Sequence, residues 1–310
     1  MALYERPAYR PLVEARSLLL RATRNCPWNR CEFCNMYKGS TFEARSVTEV
    51  KDDIIAAKGL AEEIKREACA TGDRVSVVAR GKDILWLDEG DVTSAFIGDS
   101  DSLVMETEDF AEMLRFLYQT FPSLEKVASY ARAKTLAEKS LDDLKALRQA
   151  GLTGLHVGLE SGDDELLQYV GKGVTAAELM IGGQKAVAAG LELSEYVILG
   201  FGGRGRWEQH IRETARVLNE INPHSIRLRT LGISPGVPLY EKQQWGEFIL
   251  PSLEDLVIEA RTLIENLEVS SQLVASDYSG NLYLLGVDGK LPEGKNRMLR
   301  TLGVAIDMAR

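Results

Sequence analysis

At 310 residues, with 45% hydrophobic and 7% aromatic side chains, the chain can build one large α/β domain or two ordinary ones around a sizeable core. Its formal charge of -9 argues against an extended nucleic-acid-binding surface. No apolar stretch approaches the roughly 18 to 20 residues a membrane helix needs, so no membrane span is expected. Met1 to Pro7 show no basic segment followed by an apolar run, so no secretory signal is expected and a cytoplasmic protein is the default.

Short apolar runs then alternate with stretches of helical period. A strand is expected over 17–23, followed by a loop at 24–39 that carries three of the four cysteines. A helix over 47–69 opens behind Ser46 as N-cap and closes near Gly72. Residues 73–91 form an insertion, read as a small hairpin around Arg80 and Gly81. Strands at 94–98, 126–132, 153–160, 193–200 and 225–231 alternate with helices at 108–120, 140–150, 176–189 and 207–220. Repeated β-then-α units of this size mean parallel strands with right-handed crossovers. Six such units make either a doubly wound sheet or an incomplete barrel, and periodicity does not choose between them.

After Leu231 the alternation stops, and residues 234–239 carry two prolines and a glycine. The chain is therefore divided into a core over 1–232 and a C-terminal extension over 233–310, with one more helix at 253–267 and a loop-rich stretch at 286–294. The extension is expected to close the open side of a barrel and shape a pocket.

The chemistry lies in Cys26-Pro27-Trp28-Asn29-Arg30-Cys31-Glu32-Phe33-Cys34, directly after the first strand. Thiolates are soft ligands suited to zinc or iron–sulfur clusters. A structural zinc site closes its shell with four ligands. Here no fourth cysteine or histidine follows nearby: Cys69 lies in a polar helical stretch, and the histidines are His156, His210 and His224. Three thiolates leave one metal position open, and an open position is where a substrate or cofactor binds.

The segment resembles the cluster loop of the radical S-adenosylmethionine superfamily, in which an aromatic residue precedes the last cysteine, as Phe33 does here. The family spaces its first two cysteines by three residues; this chain has four between Cys26 and Cys31. Gly98-Asp99-Ser100-Asp101-Ser102 stands where the family has a Gly-Gly-Glu-Pro-like turn that binds the cofactor's amino group, which puts Asp101 in the glutamate's place with Asp99 beside it. Gly158-Leu159-Glu160-Ser161-Gly162 and Gly171-Lys172-Gly173 resemble segments of the subgroup containing anaerobic coproporphyrinogen oxidases and the Elongator catalytic subunit. By that resemblance Glu160 lies beside the cofactor and Lys172 pairs with its carboxylate. Ser129, Arg132 and Glu195 are candidates for the ribose, and Gly200 opens a glycine-rich turn that lets the backbone approach the adenine.

The resemblance implies an α/β fold, a partial (β/α)6 TIM-like barrel, with its site at the C-terminal strand ends. It implies a 4Fe–4S cluster on Cys26, Cys31 and Cys34, S-adenosylmethionine as cofactor, and an external flavodoxin- or ferredoxin-like one-electron donor. Reductive cleavage would give a 5′-deoxyadenosyl radical that takes hydrogen from a substrate the sequence does not name. Alternation places Arg227 and Arg229 on one strand face, where they meet either substrate carboxylates or internal acids. Porphyrinogen oxidation, tRNA or peptide modification, and a non-catalytic zinc or iron–sulfur scaffold remain open as alternatives. Trp28, Tyr37 and Trp207 read as packing residues.

Overall fold

A computed structural model describes residues 4–82, 84–87 and 91–309. A 3-10 turn at Leu12–Glu14 leads into β1 (Leu18–Arg21), and a small antiparallel pair, β2 (Thr23–Arg24) and β3 (Glu43–Ala44), ties the two ends of the cysteine loop. Next come α1 (Val47–Thr71), α2 (Val75–Gly81), β4 (Ser94–Gly98), α3 (Thr107–Thr120) and β5 (Lys126–Ala131). They are followed by α4 (Ala133–Glu138), α5 (Leu141–Ala150), β6 (Gly154–Glu160), α6 (Asp164–Tyr169) and α7 (Ala176–Ala188). The chain continues through β7 (Glu192–Leu199), α8 (Gly203–Ile221), β8 (Ser225–Thr230), α9 (Pro238–Gln244) and α10 (Leu253–Asn266). It ends with β9 (Gln272–Val274), β10 (Gly289–Lys290) and α11 (Lys295–Ala309).

The strands β1, β4, β5, β6, β7 and β8 are neighbours in chain order, and each pair is parallel. A doubly wound sheet reverses its strand order at a switch point, and this sheet does not, so the architecture is the partial (β/α)6 barrel. The barrel is open, with β1 and β10 as its two edges. The extension adds β9, parallel to β8, and β10, antiparallel to β9. Strands this short leave no alternation to read.

Helix signals were legible. Ser46 and Glu49 form a reciprocal capping box at the start of α1, and Gly72, at φ 76°, ends it in the left-handed conformation glycine favours. The expected hairpin around Arg80 and Gly81 is instead α2. The run Val75-Ser76-Val77-Val78-Ala79 forms helical hydrogen bonds back to Arg74, buries Ala79, and uses Gly81 as its last helical residue.

Side-chain alternation divides each strand between two environments. On β7, Leu193, Val197 and Leu199 are fully buried under the helices, whereas Tyr196 and Ile198 front the barrel interior. Packing of α1 on α3, α3 on α5, α4 on α7, α7 on α8 and α8 on α10 completes the outer layer.

Candidate functional site

The three cysteines all line one cavity of about 580 Å³ at the C-terminal strand ends, a size suited to a cofactor or small substrate. The loop bearing them is fastened to the segment after α6. Glu32 N–H donates to the Val170 carbonyl at 2.8 Å, and Trp28 Nε1–H donates to the Gly171 carbonyl at 2.7 Å. Trp28 packs against Gly173, with the Arg30 and Arg132 guanidinium groups 5.0 and 5.3 Å from its ring. It is the packing residue expected, and it sets the distance between the cysteines and Lys172.

None of the cysteines is in a disulfide. Burial raises the Cys31 and Cys34 thiols above their ordinary value, while nearby Lys172 favours the thiolate at both and Arg132 at Cys31. A metal must displace those protons, and the two cations favour the anionic ligands left behind. Among the described residues no three His, Cys, Asp or Glu side chains converge on a single ion. Thiolates sharing one zinc stand within about 4 Å of each other, given Zn–S of about 2.3 Å. Those of an iron–sulfur cubane sit on separate irons, and three cysteines on one cavity wall are the donors such a cluster takes when one iron is left open.

Seven of the twelve expected site residues share this cavity: Cys26, Cys31, Cys34, Phe33, Arg132, Glu160 and Lys172. Lys172 Nζ donates to Glu160 Oε1 at 2.9 Å and lies 5.9 Å from the Phe33 ring centre. Burial disfavours the Lys172 ammonium, but Glu160 and the Cys31 thiol outweigh it and hold its pKa above the ordinary value. Arg132 donates to the Lys172 carbonyl at 3.1 Å. Phe33 packs edge-on against Phe201, ring centres 4.7 Å apart.

Asp99, Asp101, Ser129, Glu195 and Gly200 do not line the cavity wall. Asp99 is fully buried; its Oδ2 accepts from Arg21 at 2.8 and 2.6 Å and from Asn25 N–H at 2.8 Å, which anchors the start of the cysteine loop. Asp101 accepts from Thr135 Oγ1 at 2.6 Å and from Arg132 N–H at 3.2 Å, fixing the first turn of α4 and the backbone of Arg132; burial pushes its pKa up to about 6. Ser129 donates across to the Ile97 carbonyl at 2.8 Å. Glu195 shares its strand face with Leu193 and Val197, so alternation turns it away from the interior. Gly200, at φ 81°, donates its N–H to Glu259 at 2.9 Å and packs on Pro251 and Leu256.

Glu160 has φ 63°, a left-handed conformation that its neighbours must enforce. Gly162 N–H donates to Thr214 Oγ1 at 2.9 Å, and Ser161 Oγ meets His210 Nδ1 at 2.8 Å, so the loop is held to α8. Behind them Glu259 is fully buried beside His210, at 3.4 Å, and burial pushes its pKa up to about 8. The fold therefore favours protonated Glu259. Its contribution to stability is complete below the unfolded carboxyl pKa and is lost as pH rises through about 8. Denaturant midpoints should fall between about pH 5 and pH 8 for the natural chain and fall less steeply for Glu259→Gln, which keeps the acceptor for Gly200; equal pH dependence in both would refute the assignment.

The sequence reading missed His156 and Tyr196, both on the cavity wall. Their signal was partial: His156 and Gly158 share one strand face, but a register shift between Gly158 and Glu160 breaks the alternation, so the position of Glu160 does not by itself give that of His156. Arg229 is on the wall too, and the anion it meets is internal: Asp277, in the extension, at 2.7 Å, which also pairs with Arg227.

The sequence profile described as the Radical SAM superfamily matches residues 20–218. The heme chaperone HemW of Bacillus subtilis (strain 168) is 20% identical over 164 residues, which is 53% of this chain and 43% of that one. This chain thus spans under half the length of that relative. Among solved structures, coproporphyrinogen III oxidase (HemN) from Escherichia coli superposes with a TM-score of 0.52 and 17% identity, over 82% of this chain and 54% of that one. Methylornithine synthase (PylB) gives 0.49 and 15% identity over 94% and 87%. With the profile covering well over half its length, across the cysteine loop and all or part of five of the sheet's strands, the chain belongs to the Radical SAM superfamily.

Proposed function

We propose that Cys26, Cys31 and Cys34 hold a 4Fe–4S cluster and that S-adenosylmethionine binds beside it in the same cavity, making the chain a radical S-adenosylmethionine enzyme. The observation that carries this is the convergence of three free thiols with Phe33, Arg132 and the Glu160–Lys172 pair on one wall. When bound, the two cofactors supply reductive cleavage of a carbon–sulfur bond and abstraction of a hydrogen atom from substrate. Lys172 would pair as a point charge with the cofactor's carboxylate, Glu160 would lie beside the cofactor, and Phe33 would lie near its adenine. Asp99 and Asp101 act one step back, by fixing the cysteine loop and Arg132.

An external one-electron donor of the flavodoxin or ferredoxin kind reduces the cluster. Residues 1–232 act as the core, and the extension over 233–310 completes the pocket through Asp277 and Tyr278, both on the cavity wall. Because Asp277 already answers the arginine pair, that pair gives no support to a tetrapyrrole substrate. Anaerobic reconstitution tests the proposal. About four irons per chain, and 5′-deoxyadenosine released on reduction with S-adenosylmethionine, are expected; stable zinc without cleavage would leave only the scaffold reading.

A further inference from the structure

Opposite the thiols, the cavity floor carries a continuous chain of polar side chains. Ser17 Oγ–H donates to Glu14 Oε2 at 2.6 Å, Glu14 Oε1 meets His156 Nε2 at 3.2 Å, and His156 Nδ1 meets the Tyr196 hydroxyl at 3.1 Å. Burial raises Glu14, but hydrogen bonds from His156 and Ser17, aided by Arg227, leave its carboxyl below the ordinary value and therefore ionised. An ionised carboxylate only accepts. The Nε2 atom must then carry hydrogen, and in the neutral imidazole Nδ1 is left to accept from Tyr196. The tautomer follows from the partners.

Phe96 and Tyr130 hold the His156 ring edge-on, at 5.9 and 6.0 Å, so the imidazole is nearly buried and fixed. The Arg229 guanidinium lies 4.8 Å over the Tyr196 ring and is itself held by Asp277. Burial pushes the Tyr196 phenol up to about 12, against the pull of Arg227 and Arg229, so it stands as a donor at neutral pH. Tyr196 and His156 face the cavity, and Glu14 lies behind them. Plain packing does not call for this arrangement: phenylalanine would fill the same wall without the cost of burying a hydroxyl and an imidazole.

We infer that Tyr196, His156 and Glu14 form a proton relay that serves a substrate bearing an O–H or N–H group at its reacting position. The substrate's proton passes to the Tyr196 oxygen as the phenolic proton moves to His156 Nδ1. The electron pair of the broken bond stays on the substrate, and the imidazolium is held by the Glu14 carboxylate. Arg229, held by Asp277, stays over the Tyr196 ring beside the anion that forms. No oxidant is consumed. Tyr196 touches substrate and is the catalytic residue; Glu14 acts through His156. The inference rests on the cavity being the substrate chamber of the proposed enzyme.

4-Nitrophenol, whose phenolate absorbs in the visible, serves as probe with the full chain, with and without its reconstituted cluster. Below the phenol's own pKa, difference spectra of the natural protein should show bound phenolate. Glu14→Gln, which lies off the wall and keeps an acceptor oxygen for His156, should lower the phenolate fraction by about tenfold, the worth of one charged neighbour. His156→Gln should abolish it, and the histidine signals, only three in the chain, should show His156 becoming imidazolium when the phenol binds. No phenolate in the natural protein, or equal phenolate in His156→Gln, overturns the relay. The experiment uses no S-adenosylmethionine, so its failure is distinct from a failure of the cleavage assay.

Discussion

Cys31→Ala is expected to reduce four-iron uptake and S-adenosylmethionine cleavage to background while the chain stays folded. A cubane held by three thiolates loses a full corner when one goes, and no other cysteine is near to replace it: Cys69 is exposed on α1. The fold does not lean on the thiol. The loop keeps its backbone bonds from Glu32 N–H to Val170, at 2.8 Å, and from Leu239 N–H to Glu32, at 3.0 Å. Removing one small, partly buried side chain costs about 1 kcal/mol. Iron and sulfide content, visible absorbance and circular dichroism on the same sample check this, with Cys69→Ala as the variant that should load fully. A Cys31→Ala chain with undiminished cluster absorbance and cleavage would refute the ligand set.

The same loop shows what the sequence could and could not disclose. Cys26, Cys31 and Cys34 were legible because thiolates in that spacing have few other uses, and the six parallel strands because each is a run of apolar residues between helical periods. Whether those strands formed a barrel was not legible in their periodicity, and only the family resemblance supplied it. Strand order depends on which neighbours pair, and pairing leaves no mark on the alternation of a single strand. The acids show a different difficulty. Asp99 and Asp101 are placed at the cofactor by their position in a turn; in the fold Arg21 and Asn25 take up Asp99 Oδ2, Thr135 and Arg132 take up Asp101, and Asp99 Oδ1 is left without a hydrogen-bond partner. A carboxylate in a loop looks the same in sequence whether it points at a ligand or at backbone N–H groups. Glu195 was an error of parity: its neighbour Tyr196 is the one facing inward. The relay on the floor was unreadable for a further reason, since Glu14 and His156 lie far apart in sequence and meet only in the folded chain.

Gly173→Ala should be damaging on two counts. Gly173 sits at φ 71°, and a Cβ there would fall 2.4 Å from the Trp28 ring. Two costs follow. A non-glycine residue in the left-handed region loses about 1 to 2 kcal/mol, and overpacking a filled contact adds about 1 to 3 kcal/mol. Gly72→Ala separates them: its φ of 76° is nearly the same, but nothing lies within 4 Å of the new carbon, so it should lose only the first amount. To relieve the clash Trp28 must move, and Trp28 lies between Cys26 and Cys31 with its Nε1–H bonded to Gly171. The displacement is therefore delivered to the cysteine loop. Gly173→Ala should show both a larger drop in denaturant midpoint than Gly72→Ala and a lower iron content after reconstitution, whereas Gly72→Ala should load its cluster fully. Equal iron in the two variants would mean that Trp28 does not set the geometry of the thiols.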